Sequence, residues 1–418
     1  MEKFLIHGGR RLEGTIPVSG SKNSALPAMA AALLTDQPVT LDHVPAVRDI
    51  RTMGRLLADI GASVERSGNR YTIRAERIAS PEAPYELVKT MRASSLVLGP
   101  LVARAGRARV SLPGGCAIGA RPINLHIQGL EKLGARIRQE HGYIEAEAPN
   151  GLKGAEIRFE RVTVTGTEDL LMAAVLADGE TVLENAAREP EVADLAELLG
   201  KMGADIEGAG TGTIRVRGVA PLGGAEHRII PDRIEAGTFL VAGAIAGGEI
   251  DVCGARADHL GALIEKMQEA GAEVAVSAEG SMRVRGGRRL AGVDVATREF
   301  PGFATDLQAQ WMTLSTQAHG ASILTEGIFE NRFLHALELG RMGADITITG
   351  RQAVVRGPSV LSGAGVIASD LRASASLVLA GLVASGETVI DRVYHIDRGY
   401  ERIERKLAAV GALIRRVE

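Results

Sequence analysis

The sequence predicts an α/β protein of two domains, each built from three copies of one unit. Three observations carry that prediction. A Gly-Ala pair closing an amphipathic stretch recurs at Gly61, Gly134, Gly203, Gly271, Gly343 and Gly411, at intervals of 73, 69, 68, 72 and 68 residues. Segments rich in Ala, Gly and Ser recur between those pairs. The two ends of the chain read as complementary fragments of one unit. A fixed period of this kind marks a repeat architecture, and 418 residues exceed one ordinary core.

Each unit reads in the same order. GLEKLGARI (129–137), LLGKMGADI (198–206) and ELGRMGADI (338–346) have apolar residues at helical spacing, a Gly at the C-cap and then a strand. A turn and a second strand follow, as in TIRVRG (213–218), MRVRG (282–286) and AVVRG (353–357). Next comes a helix of small residues: SALPAMAAALL (24–34), ASSLVLGPLVA (93–103), EDLLMAAVLA (168–177), GTFLVAGAIA (237–246) and SASLVLAGLVA (374–384). The equivalent TDLQAQWMTLSTQA (305–318) is bulkier. A further strand leads into the next amphipathic helix. Helices so rich in Ala and Gly approach closely, which places them inside each domain with sheets around them.

The ends fix the partition. The last unit stops after its first hairpin strand, at GALIRRVE, and FLIHGGRRLEGTIPV near the start resembles MRVRGGRRLAGVDV (282–295). The N-terminal strand is therefore expected to complete the C-terminal domain. Residues 21–229 form domain I, and 1–20 with 230–418 form domain II. The chain then crosses between domains near residues 20 and 230, a natural hinge for closure over a ligand.

Composition narrows the function. Net charge is −3 and aromatic residues make up 3%, which argues against nucleic-acid and membrane-surface partners. Two cysteines cannot make a disulfide framework and suit a reducing cytoplasm. No signal peptide is visible, and the most apolar stretches, near Ser374–Ile390 and Phe239–Val252, are too short and interrupted to span a bilayer. The scattered histidines form no ligand motif, so no metal and no cofactor are expected.

Charged residues recur at equivalent ends of the units. Lys22, Arg92, Arg233, Asp306 and Arg372 lie at the starts of the small-residue helices. Arg121, Arg188 with Glu189, Glu330 with Arg332, and Asp397 with Arg398 precede the amphipathic helices. Helix N-termini and guanidinium groups together favour anions. The expected substrate is small, multiply charged with phosphate or carboxylate, and held between the domains. The loop LPGGCAIGARP (112–122) adds Cys116, a thiol flanked by glycines and near Arg121, the setting of a reactive cysteine.

SGSKNSALP (19–27), KTMRASSLVLGP (89–100), LPGGCAIGARP (112–122), ENAAREPE (184–191), IPDRIEAGT (230–238), FPGFATDLQAQ (300–310), FENRF (329–333), DLRASASLVLAGL (370–382) and HIDRGYERI (395–403) resemble the UDP-N-acetylglucosamine 1-carboxyvinyltransferases. The resemblance runs over essentially the whole chain. It implies the two-domain inverse α/β barrel of the enolpyruvyl transferases, with three βαβαββ units per domain. Asn124 departs from it, standing where the RPxD motif has Asp. The non-catalytic alternative, a repeat-built binding module, leaves Cys116 and the acids and bases unexplained. The related 3-phosphoshikimate 1-carboxyvinyltransferases share fold and phosphoenolpyruvate chemistry but lack the LPGGC loop.

The resemblance implies small-molecule partners only, phosphoenolpyruvate and UDP-N-acetylglucosamine, in the first committed step of peptidoglycan synthesis. Cys116 is then the general acid for C3 of phosphoenolpyruvate, forms a covalent adduct with it and is the target of fosfomycin. Asp306 is the base on the sugar hydroxyl. Lys22, Arg121 and Arg398 bind phosphate and carboxylate, while Arg92 and Arg372 hold both substrates and the charged intermediate. Asn23, Arg121, Pro122, Ile123, Asn124, Leu125, Arg161, Val162, Thr163, Val164, Asp306 and Ile328 match the sugar-nucleotide site. Asp370, Glu330 and Arg332 are further candidates. Cys253 matches no role and is expected as a buried core thiol.

Overall fold

A computed structural model of the chain describes residues 2–112, 123–277, 280–286 and 289–418. Among these, residues 20–112 with 123–230 form one compact unit, and 2–19 with 231–418 the other. Each has its own apolar core.

Among the described residues, six four-stranded mixed sheets, three in each unit, follow one plan of a parallel edge pair joined to two antiparallel pairs. The glycines that set the sequence period explain the plan's regularity. Gly61, Gly134, Gly203, Gly271, Gly343 and Gly411 all have φ between 87° and 119°. That is the left-handed conformation in which a helix ends and turns into a strand, and where a Cβ is costly. The sheet of the last repeat takes Lys3–His7 between Glu387–Asp391 and Leu413–Val417, antiparallel to both. Leu12–Pro17 pairs in parallel with Gly248–Cys253.

The small-residue helices are the buried ones. Lys22–Ala31, Val164–Ala174, Arg233–Ala246 and Leu371–Val383 expose almost nothing, and alanine and glycine let neighbouring helices approach. The bulkier Gln308–Gln317 is buried too, with Trp311 fully enclosed and edge-on to Phe303 at 5.6 Å. Three of these stretches are part 3₁₀, with Ala32–Leu34 ending the first and Thr305–Leu307 opening the fifth. Residues 93–103 do not form a single α-helix: a 3₁₀ segment Arg92–Val97 precedes the α-helix Leu98–Ala105. Pro100 lies in the first turn of the α-helical part, where its missing N–H costs nothing.

Cys253 corrects the expectation of a core thiol. In Gly248–Cys253 the alternate residues Ile250 and Val252 point inward, so Cys253, one position on, is half-buried on the outer face.

Candidate functional site

Cys116, Arg121 and Pro122 lie outside the described residues. The remaining candidates divide between the two units.

In the unit built on residues 20–230, Lys22 opens the helix Lys22–Ala31, whose N-cap Ser21 accepts from the amide of Ser24. Lys22 is buried, with Nζ 3.3 Å from Oδ2 of Asp49, itself in the first turn of Arg48–Ile60. A buried ammonium needs such a counter-charge. Asn23 beside it is half-buried. The same helix is pinned from behind: Ser24 donates to Asp194, whose other oxygen meets Nε2 of His227 at 2.9 Å, and Nδ1 of His227 lies 3.0 Å from Lys201 Nζ. Arg92 begins the 3₁₀ segment. Ile123 and Leu125 are buried, and Asn124, the first residue of Asn124–Lys132, is exposed. Arg161 is exposed; Val162, Thr163 and Val164 are half-buried. The Thr163 hydroxyl caps Val164–Ala174 by accepting from Gly166 N. Its oxygen serves the helix, so this segment has main-chain groups, the hydroxyl hydrogen and Arg161 to offer a ligand. Glu168, buried in that helix, has its carboxyl pushed up by burial and by the charges of Glu191, Glu189 and Asp169.

In the other unit the charges converge on Asp306. It lies in the 3₁₀ turn Thr305–Leu307, just before Gln308–Gln317. Arg332 Nη2 donates to its Oδ1 at 2.6 Å and Arg372 Nε to its Oδ2 at 3.3 Å. Both arginines are buried, while the Asp306 side chain keeps 28% of its surface exposed. Two cations thus hold a carboxylate that still reaches solvent. The guanidinium of Arg372 lies 5.2 Å over the Tyr400 ring. The Tyr400 hydroxyl is in turn fixed by Thr238 at 2.9 Å and Gln310 at 3.1 Å. Burial works against the Arg372 charge, but Tyr400, Asp306 and Asp232 together hold its pKa above the usual guanidinium value. Its Nη1 and Nη2 are buried without a hydrogen-bond partner among the described residues.

Arg398 is half-buried at the end of the 3₁₀ segment Val393–Arg398. That segment is bracketed by Arg392 and Arg402, both left-handed at φ 59° and 48°. Such non-glycine residues are uncommon and signal a backbone held by its surroundings. Asp397 supplies part of the hold. It pairs with Arg416 at 2.5 and 2.9 Å, so it anchors the Arg398 segment rather than joining Arg398 in a ligand site. Asp370 is the N-cap of Leu371–Val383, accepting from the amides of Arg372 and Ala373 at 2.8 and 3.0 Å. Glu330 is half-exposed and meets Arg351 at 3.6 Å. Arg332 joins Asp306, whereas Glu330 turns to Arg351.

The sequence reading missed Glu326, Thr305, Tyr400 and Gln310, which fix the Asp306 and Arg372 groups. Their sequence surroundings do not mark them: Tyr400 lies in the charged stretch HIDRGYERI and Gln310 in the bulkier helix.

A family model described as EPSP synthase (3-phosphoshikimate 1-carboxyvinyltransferase) matches residues 6–407. The UDP-N-acetylglucosamine 1-carboxyvinyltransferase of Solibacter usitatus is 72% identical over 418 residues, the whole of both chains. Its counterpart from Koribacter versatilis is 64% identical over all of this chain and 97% of the other. The chain belongs to the UDP-N-acetylglucosamine 1-carboxyvinyltransferase family. The enolpyruvyl transferase NikO from Streptomyces tendae superposes on it with a TM-score of 0.90 at 26% identity, covering 100% of this chain and 99% of that one. EPSP synthase from Acinetobacter baumannii covers both chains fully at a TM-score of 0.77 and 20% identity, a likeness of fold. The six-sheet α/β architecture is thus the enolpyruvyl transferase fold. No helix among the described residues is long and apolar enough to cross a membrane.

Proposed function

We infer that this chain transfers the 1-carboxyvinyl group of phosphoenolpyruvate to the 3′-hydroxyl of UDP-N-acetylglucosamine, releasing phosphate. The reaction is the first committed step of peptidoglycan synthesis and takes place in the cytoplasm. Identities of 72% and 64% to enzymes named for that transfer support the substrate pair. The observation that carries the site reading is Arg372. A guanidinium buried to 2% exposure, fixed through Nε on Asp306 and with two Nη atoms unpaired among the described residues, is a donor pair ready for an anion.

The chemistry follows from these groups. Asp306 takes the proton of the 3′-hydroxyl as its oxygen bonds to C2 of phosphoenolpyruvate. Each Asp306 oxygen accepts from one arginine and keeps a further lone pair for that proton. Arg372 Nε at 3.3 Å is the looser partner, and Arg332 at 2.6 Å keeps the other oxygen in place. Cys116 supplies the proton to C3. The C2–O bond to phosphate then breaks, C3 gives back a proton and the enol ether forms. Lys22 and Arg398, with Arg121 and Arg92, neutralise phosphate and carboxylate. Asn23, Arg161–Val164, Ile328 and residues 121–125 take the sugar nucleotide. Asn124 offers an amide where the RPxD pattern has a carboxylate.

Mass spectrometry of the sugar nucleotide after incubation with both substrates tests this reading. The expected product is UDP-N-acetylglucosamine carrying one carboxyvinyl group. Unchanged sugar nucleotide, with an active enzyme of the same family as control, would refute it.

A further inference from the structure

Glu326 is among the most buried charged groups of its unit, at 1% exposure, one residue past the strand Gly320–Thr325. The transfer chemistry gives it nothing to do. Its carboxylate is nevertheless crowded with donors from three segments. Oε1 accepts from the Thr297 hydroxyl at 2.8 Å, the Ile328 amide at 2.9 Å and the Phe329 amide at 3.1 Å. The Thr305 hydroxyl lies 3.1 Å from Oε1 and 3.0 Å from Oε2.

The two ends of this network are the ones the reaction needs. Ile328 matches the sugar-nucleotide site, and its amide is bound directly. Thr305 precedes Asp306, and its hydroxyl also accepts from Arg332 Nη1 at 2.7 Å. Arg332 has no lone pair to offer, so the single Thr305 hydrogen goes to Glu326. The second nitrogen of the same guanidinium holds Asp306 at 2.6 Å. A continuous chain therefore runs from the Ile328 amide through Glu326, Thr305 and Arg332 to the Asp306 carboxylate. Every link is charge-assisted or buried, the kind that fixes geometry. We propose that Glu326 is a positioning residue for the transfer, setting the Asp306 carboxylate in register with the sugar-nucleotide loop. The inference rests on reading Asp306 as the base on the sugar hydroxyl.

Glutamine is a selective probe. An amide oxygen can serve Thr297 and the two main-chain amides as Oε1 does. The amide nitrogen then faces Thr305, whose oxygen is already taken by Arg332 and whose hydrogen loses its acceptor. Glu326→Gln should cut the Asp306 end of the chain and spare the loop end.

The experiment uses the full-length enzyme with phosphoenolpyruvate and UDP-N-acetylglucosamine, reading kcat, the calorimetric Kd of the sugar nucleotide and Tm. Glu326→Gln should lower kcat roughly ten- to a hundredfold, the scale of a misplaced reacting group, with an unchanged Kd. Thr305→Val should lose as much. The double variant should lose no more than either single one, because both cut one link. Thr305→Ser, which keeps the hydroxyl, should recover most of the loss. Parent-like kcat in Glu326→Gln, beside an inactive Asp306→Asn, overturns the positioning role alone. Additive losses, or loss of sugar-nucleotide binding together with Tm, assign Glu326 to folding and also overturn it. An active Asp306→Asn overturns the base itself, and this inference with it.

Discussion

The guanidinium of Arg332 donates from Nη2 to Oδ1 of Asp306 at 2.6 Å. Its other terminal nitrogen meets the Thr305 hydroxyl at 2.7 Å, so one planar fork fixes two consecutive residues. The fork is buried, lies 5.2 Å from the Phe329 ring and leaves Asp306 facing solvent on one side. That arrangement orients a carboxylate without covering it.

Arg332→Lys keeps the charge and loses the fork. A lysine ammonium cannot span Thr305 and Asp306 with the same planar pair of donors. The expected result is a fall in kcat of at least about tenfold, with phosphoenolpyruvate KM near that of the parent. Arg332→Ala should in addition cost about 1–3 kcal/mol of stability, through the acceptors left unpaired. Steady-state kinetics and urea denaturation on the two variants supply the readings, and a fully active lysine variant contradicts the orienting role.

Asp169 predicts a pH dependence of stability. It is wholly buried in Val164–Ala174, with Oδ1 accepting from the Gly99 amide at 2.8 Å. Burial pushes its carboxyl up to about 8 against the pull of that amide. The unfolded value is about 3.9. The fold thus keeps a proton that the unfolded chain releases. This contribution is complete below about pH 4 and is lost as pH rises towards about 8. Asp169→Asn keeps an oxygen for Gly99 and has no proton to lose. Between those limits the parent should lose about 1.4 kcal/mol per pH unit relative to the variant, levelling off above. Chemical denaturation across this range measures the gap; one that stays constant with pH contradicts a protonated Asp169.

Cys116 is expected to be the reactive thiol and Cys253 the inert one. Cys253 is half-buried at a strand end and therefore a genuine competitor for a small electrophile. Peptide mass spectrometry after fosfomycin treatment should find the adduct on Cys116 and more of it when sugar nucleotide is present. Cys116→Ser should lose most activity, since a hydroxyl is too weak an acid. Cys116→Asp should stay active, resist the drug and decline as pH rises and its carboxyl ionises. Modification of Cys253 alone, or full activity in the serine variant, contradicts the assignment.

The repeat was legible because its punctuation has a steric cause: at φ near 100° glycine is strongly preferred, so six helix ends kept six glycines. The burial of the small-residue helices was legible for a similar reason, since alanine and glycine at close approach leave a compositional trace. Connections between side chains leave none. Asp306, Arg332 and Arg372 stand out singly as charges at equivalent ends of repeats. That both arginines bond the same carboxylate depends on how segments 26 and 66 residues apart are packed. Asp397 and Arg398 are adjacent charges in the sequence, and only the packing shows that Asp397 bonds Arg416. Glu326 is invisible in the sequence: one carboxylate after a strand reads as surface until the four donor groups around it are seen.

Phosphate release from phosphoenolpyruvate, measured with and without UDP-N-acetylglucosamine and with 3-phosphoshikimate in its place, tests the proposed transfer most directly. Release should require UDP-N-acetylglucosamine and match the carboxyvinylated sugar nucleotide formed mole for mole, with no release on 3-phosphoshikimate. Phosphate release that does not depend on the sugar nucleotide, or that follows 3-phosphoshikimate instead, would contradict it.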